Sequence, residues 1–226
     1  MEGAPFEADF HIHTTRSSDG TASPAEVVDA AARAGLFAIA ITDHNSVGAH
    51  KEAREAARAR DILLVPGVEV SSLEGHVLAL GVEELVVRGL HVDETVRRIE
   101  DLGGLAVAAH PGRVYTGLHD EDIRSVRFGA VEVANGHSAV KLNRRARALA
   151  GDIHVPVTGG SDAHAAREVG ACRTVFPTAP ANVEGVLEAI RKGETRAVGE
   201  GKTPGDQLRL NARMAARWVA RGGRRM

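Results

Sequence analysis

Side chains able to bind metal recur at the ends of the apolar runs of this chain. His11 and His13 close the run 8–13, and Asp19 follows in Ser17-Ser18-Asp19-Gly20. Asp43 and His44 come directly after the run 37–42, and Glu69 lies at the end of the run 63–70. His76 opens the run 76–80, and His110 ends the run 105–109 in Ala109-His110-Pro111-Gly112-Arg113. Glu132 and Asn135 stand where the run 130–133 ends, and Asp162 and His164 follow the run 155–158 in Ser161-Asp162-Ala163-His164. Alternate residues of a strand point to one side, so His11 and His13 would present two imidazoles in one direction. Gathering several carboxylates in one place is unfavourable unless something positive compensates them, and metal ions are the natural partners. A set of imidazoles and carboxylates without cysteine suits Mn²⁺, Fe²⁺ or Zn²⁺, and suits neither a thiolate zinc site nor an all-oxygen Ca²⁺ site. Of the 11 histidines, His50, His91, His119, His137 and His154 lie away from these positions and are expected to be surface or loop residues without chemistry.

The elements that must position these residues alternate along the chain. The runs read as strands; between them lie helical segments opening at Ser23, then up to about 60, near 93–102, 138–150, 183–192 and 204–220. Ser23-Pro24-Ala25-Glu26 carries a capping box, with a hydroxyl at the N-cap, proline at the first helical position and glutamate at the third. Continuous apolar strands alternating with helices imply mostly parallel pairing with the helices outside. The link 71–75 is too short for a parallel crossover, so the fourth strand should run antiparallel to the third, which brings His76 beside Glu69. No glycine-rich phosphate loop follows the first strand, which argues against a dinucleotide-binding fold. The expectation is an α/β chain with about seven strands in a closed or nearly closed barrel. In that architecture the strand ends, and with them the ligands, converge on one rim. One domain over 1–226 is expected, with 203–226 forming a C-terminal helix and a basic tail containing Arg221, Arg224 and Arg225.

Composition bounds the partners. Net charge is −2, which argues against binding nucleic acid by global electrostatics. Cys172 is the only cysteine, so no internal disulfide forms. The first residues lack the basic start and apolar run of a signal peptide, and no apolar run is long enough to cross a bilayer; a cytoplasmic location is expected.

The ordered set His11-x-His13, Asp43-His44, His110-Pro111 and Asp162-x-His164 resembles the four motifs of the PHP (polymerase and histidinol phosphatase) family. Pro66-Gly67-Val68-Glu69, Ser18-Asp19-Gly20, the segment 75–81 and Glu132-Val133-Ala134-Asn135-Gly136 are similar to family segments as well, so the resemblance runs over about 8–193. It implies a distorted (β/α)₇ TIM-like barrel and two or three divalent ions. By that resemblance His11, His13, Glu69 and Asp162 would hold the first ion. Glu69 would bridge to a second held by His76 and His110, and Asp19, His44 and His164 would hold a third. Asp43 would orient an imidazole from behind or cap a helix.

Two ions sharing Glu69 could hold a bridging hydroxide at neutral pH for attack on phosphorus, with Glu69 and Asp162 central to catalysis. Arg113, with a planar fork that matches phosphate oxygens, is the candidate clamp, and Arg16 and Arg167 are further candidates. The expected partner is a small phosphorylated substrate such as a nucleotide, sugar or amino-alcohol phosphate. Two alternatives stand beside it: hydrolysis of a non-phosphate ester or amide by the same metals, and a nuclease-like or non-catalytic module of a polymerase assembly.

Overall fold

The computed structural model describes residues 5–203 and 205–206. The expected helix over 204–220, save for its residues 205 and 206, and the basic tail fall outside them. The first half of the chain runs β1 (Phe6–Asp9), α1 (Pro24–Arg33), β2 (Ala38–Ile41), α2 (His50–Arg58), β3 (Leu63–Ser71), β4 (His76–Leu80) and α3 (Val92–Asp101). The second half runs β5 (Leu105–Ala108), α4 (Asp120–Ser125), β6 (Ala130–Asn135), α5 (Val140–Asp152) and β7 (Val157–Gly160). A short 3₁₀ helix (Ala166–Glu168) then leads to β8 (Arg173–Phe176), α6 (Val183–Arg191) and β9 (Arg196–Val198).

Local chemistry accounts for the element starts. Ser23 Oγ accepts from Glu26 N at 3.3 Å while Glu26 Oε2 accepts from Ser23 N at 2.7 Å, the reciprocal capping expected of α1. Asn182 caps α6 by accepting from Gly185 N at 2.8 Å. The expected first strand is shorter than its apolar run: pairing with β2 and β8 stops at Asp9, and His11 and His13 lie on extended chain beyond it.

The strands form one sheet of 9 in the order β7-β6-β5-β4-β3-β2-β1-β8-β9. β1, β2 and β3 pair in parallel, as do β5, β6 and β7. β4 runs antiparallel to both neighbours, with Ser71 opposite His76 and Glu69 opposite Leu78. The sheet curls until β7 approaches β1. Ile12 bridges Ala163 in parallel and His13 N donates to Ala163 O at 2.8 Å. Thr174 Oγ1 on β8 donates to Gly159 O and accepts from Gly159 N, both at 2.9 Å, tying the β8–β9 hairpin across the seam. The result is a distorted, nearly closed TIM-like barrel of seven strands, β1 to β7, with two further strands that were not expected from sequence. α4 is likewise new, in a stretch for which no element was expected from sequence.

Small and medium side chains make up much of the barrel interior, in keeping with the aromatic content of 3%. Ala8, Ala38, Ala40, Ala109 and Ala130 pack there with Phe10, Val65, Leu78, Val107 and Phe176. Val186, Leu187 and Ile190 of α6 join this cluster, with Leu187 against Gly81 and Arg191 Nη2 donating to Gly103 O and Gly104 O, so α6 covers the end opposite the strand tips. α1 and α2 pack outside β2 on Ile39 and Ile41, and α3 and α5 cover Val68, Val77, Ala106 and Val131. Burying each Val, Leu or Ile side chain stabilises by about 1.5–3 kcal/mol, enough in sum to hold a rim made of charged groups. No helix among the described residues is long and apolar enough to cross a membrane.

Candidate metal centre

Every strand tip at the open rim delivers a polar side chain. His11 and His13 leave β1, His44 follows β2, Glu69 is near the end of β3, and His76 starts the reversed β4. His110 follows β5, Glu132 and Asn135 lie on β6, and Asp162 and His164 follow β7. His110 (φ 30°) and Asp162 (φ 54°) hold left-handed backbone, a costly conformation for residues with a Cβ, and each turns its side chain back over the rim. Gly160 permits a close approach: a Cβ there would lie 2.4 Å from His11 Cβ.

Glu69 is the hub. Its Oε1 lies 2.8 Å from His76 Nδ1, 2.8 Å from His110 Nε2 and 3.5 Å from His11 Nε2. Its Oε2 lies 2.9 Å from His44 Nδ1 and 3.2 Å from His13 Nε2. Asp162 Oδ1 is 3.5 Å from His11 Nε2 and 3.3 Å from His13 Nε2. Asp19 Oδ2 meets His44 Nε2 at 3.2 Å and His164 Nε2 at 3.1 Å. All ten expected site residues therefore gather at one rim, Arg113 among them.

Burial by itself pushes the Glu69 and Asp162 carboxyls up. Surrounding cations, His11 first for Glu69 and Arg113 first for Asp162, overcome it and hold both well below the usual range. Burial likewise opposes charge on His44, yet the adjacent Asp19 and Glu69 carboxylates raise it to about 10. Burial and then the Arg113 charge lower His110 to about 4.

Not every polar atom at the rim finds a hydrogen-bond partner. His11 Nε2, His13 Nε2, Glu69 Oε2, His110 Nδ1 and Asp19 Oδ1 are buried and have no hydrogen-bond partner among the described residues. Buried polar atoms are normally paired, so lone pairs that converge without bonding one another fit a cation between them. Among the described residues, ligand atoms close enough to share an ion occur in four groups: His11/His13/Asp162, His11/Glu69/His110, His44/Glu69/His76 and His13/Asp19/His44/His164. These groups hold the expected ligands but divide them differently from the assignment implied by resemblance. His44 and His13 each belong to two, and His11 sides with His110 as well as with His13.

A second layer of residues positions the first. Glu132 Oε1 lies 2.9 Å from His11 Nδ1, and its Oε2 accepts from His110 N at 2.8 Å and from Asn135 Nδ2 at 2.9 Å. Asp43, read as a support for an imidazole or a helix cap, does neither. Its carboxylate accepts from Thr14 N and Thr14 Oγ1, both at 2.7 Å, and α2 begins seven residues later at His50. Asp9, unnoticed in the sequence, accepts from Ser161 N and Gly170 N at 2.8 Å each, and burial raises it to about 6. It ties the end of β1 to the loop that carries Asp162.

Two of the histidines expected to be idle are not surface residues. His50 is buried, with Nε2 2.9 Å from Gly67 O, holding α2 to β3. His137 stacks on His164 with ring centroids 5.1 Å apart. Arg113 Nη2 donates to Asp162 Oδ2 at 2.6 Å and to Asn135 Oδ1 at 3.2 Å. Arg16 pairs with Glu52 and Arg167 with Glu168, and both are exposed.

The PHP domain model matches residues 9–126, just over half of the chain, and a PHP-associated model matches residues 141–195. An uncharacterized protein of Methanocaldococcus jannaschii is 30% identical over 142 residues, covering 58% of this chain and 83% of that protein. The 3',5'-nucleoside bisphosphate phosphatase of Chromobacterium violaceum is 42% identical over 79 residues, which is 33% of this chain and only 27% of the phosphatase. Among solved structures, a two-domain protein from Bacteroides vulgatus containing a predicted PHP-like metal-dependent phosphoesterase superposes with a TM-score of 0.73. That match has 23% identity and covers 87% of this chain and 65% of the other. Fold, rim chemistry and the extent of the domain match agree: the chain belongs to the PHP domain family.

Proposed function

We propose that this protein is a metal-dependent phosphoesterase that hydrolyses a small phosphate ester. It is a hydrolase, and the observation that carries the reading is Glu69, a buried carboxylate with nitrogens of five imidazoles within 3.5 Å, of which His11 Nε2 and His13 Nε2 have no hydrogen-bond partner among the described residues. His11, His13, Glu69 and Asp162 would hold one divalent ion, Glu69 with His76 and His110 a second, and Asp19 with His44 and His164 a third. Bound there, Mn²⁺, Fe²⁺ or Zn²⁺ supplies Lewis acidity toward phosphoryl oxygens and makes water a stronger acid.

The chain's own residues do the rest. The hydroxyls and the thiol nearest the rim are engaged: Ser161 Oγ donates to His11 O at 3.3 Å, Ser17 Oγ accepts from His44 N at 2.9 Å and lies 3.3 Å from His13 Nδ1, and Cys172 is buried with its thiol on Glu200 O. Water is then the attacking group. Arg113 uses Nη2 alone for Asp162 and Asn135, which leaves Nε and Nη1 of the fork for a phosphate oxygen. Glu132 and Asn135 keep His11, Asp162 and Arg113 in register. The similarity to a nucleoside bisphosphate phosphatase supports a phosphorylated metabolite as the substrate class.

The deciding experiment is a phosphate-release screen over nucleotide, sugar and amino-alcohol phosphates, with metal content measured on the same sample. Release from at least one ester, abolished by chelation and restored by Mn²⁺, is the expected result. A metal-loaded protein that cleaves carboxylic esters or amides and no phosphate ester would overturn the proposal.

A further inference from the structure

We propose that His137 and Glu168 form a positioning pair that fixes His164 for the ion held by Asp19, His44 and His164, an inference that rests on the metal-centre reading above. His164 is the middle ring of a stack. His13 lies on one face, with centroids 4.5 Å apart and planes at 27°, and His137 on the other, at 5.1 Å and 20°. Stacking on both faces fixes the plane of the imidazole.

Glu168 fixes the backbone beneath it. Its Oε2 accepts from His164 N at 3.1 Å and lies 3.3 Å from His137 Nε2, so one carboxylate oxygen joins the residue in the middle of the stack to the ring above it. The loop carrying His137 is itself anchored. His137 N donates to Asn135 Oδ1 at 2.9 Å, and Lys202 N donates to Ser138 O at 2.7 Å. His164 Nδ1 is engaged by Asp162 O at 2.7 Å, which leaves Nε2 turned to Asp19. Neither His137 nor Glu168 belongs to any group of converging ligand atoms. Both touch His164, the histidine whose angle decides whether Nε2 and Asp19 face the same point.

Outer partners of metal-binding histidines are worth about 10- to 100-fold in metal affinity. His137→Ala removes the upper ring, and Glu168→Ala removes the acceptor that holds the backbone of His164.

The test compares Mn²⁺-loaded wild type with Asp19→Asn, His137→Ala, His137→Phe, Glu168→Ala and Glu168→Gln. Each is challenged with graded chelator, its residual Mn²⁺ is measured by mass spectrometry, and its melting curve is checked for an intact fold. Asp19→Asn should abolish one class of retained Mn²⁺. His137→Ala and Glu168→Ala should lose that same class at a chelator concentration about 10- to 100-fold lower than wild type, with the other ions retained. His137→Phe, which keeps the stack, and Glu168→Gln, which keeps an acceptor oxygen, should recover part of the loss, as a merely structural role would not require. Three results would overturn the inference: variants that hold that class as tightly as wild type, variants that shed all ions together, or a wild type with no class sensitive to Asp19→Asn. A wild type that retains no Mn²⁺ at any chelator level would instead remove the metal-centre reading itself.

Discussion

Arg113 and Asp162, 49 residues apart in sequence, meet at 2.6 Å through Nη2 and Oδ2. The pair joins the loop after β5 to the loop after β7, and puts a permanent cation beside a carboxylate that also faces His11 and His13. From the sequence Arg113 reads only as a clamp for phosphate. In the structure it also braces one of the expected ligands while keeping part of its fork free.

Arg113→Ala should therefore lower kcat/KM by about 30- to 1000-fold, roughly 2–4 kcal/mol of transition-state stabilisation, with metal content retained because a guanidinium offers no ligand atom. Arg113→Lys should recover only part, since an ammonium cannot meet Asp162 and a phosphate oxygen through a planar fork. Steady-state kinetics on any active ester decides it. Wild-type kcat/KM in the alanine variant would leave Arg113 as an ion-pair partner alone.

Glu69→Gln exchanges an anionic oxygen for an amide donor that faces imidazole nitrogens. Both metal occupancy and activity should fall, because the carboxylate is the acid common to two of the converging groups. Elemental analysis with activity on the same sample checks this. Full occupancy with full activity would exclude a shared role for Glu69.

Glu132→Gln tests support from behind the rim. The substitution keeps the acceptor for His110 N within reach but removes the negative charge opposite His11 Nδ1. Metal affinity, measured by calorimetric titration, should drop about 10- to 100-fold. An unchanged affinity would show that Glu132 only fills space on β6.

Cys172 should be nearly inert in the native protein, since burial pushes its thiol up from 9.0 to about 12. Alkylation near pH 8 should run about a thousand-fold slower folded than in denaturant, from the smaller thiolate fraction. The raised folded value means the thiol's contribution to stability is whole below about 9 and is lost as pH climbs toward about 12. Equal alkylation rates in the two states would contradict the burial.

Ser23→Ala removes the hydroxyl that accepts from Glu26 N. The loss should be about 1 kcal/mol, a fall in Tm of roughly 2–4 °C for a domain of this size. A calorimetric scan that shows no shift would mean that packing of α1, not its cap, sets where the helix begins.

What the amino-acid order determined by itself is local. Placing His11, His44, Glu69, His110 and Asp162 at the ends of apolar runs follows from strand and helix periodicity. The reversal of β4 follows from the length of the link 71–75, and the start of α1 follows from Ser23 and Glu26. Each depends on neighbours within a few residues, where backbone geometry leaves few choices.

Tertiary structure decided the partners. Glu132 meets His11 across 121 positions, and Asp43 meets Thr14 across 29 rather than an imidazole. Nothing in the spacing distinguishes these two acids, since both stand at the end of an apolar run and both are buried. The choice is made when β7 curls back to β1 and Asp9 and Thr174 tie the seam. His137 illustrates the same limit: its segment reads as loop, and only closure of the barrel lays its ring on His164. The left-handed backbone at His110 and Asp162 is also invisible in the order of residues, because it is held by contacts from other strands and opposes the local preference of both.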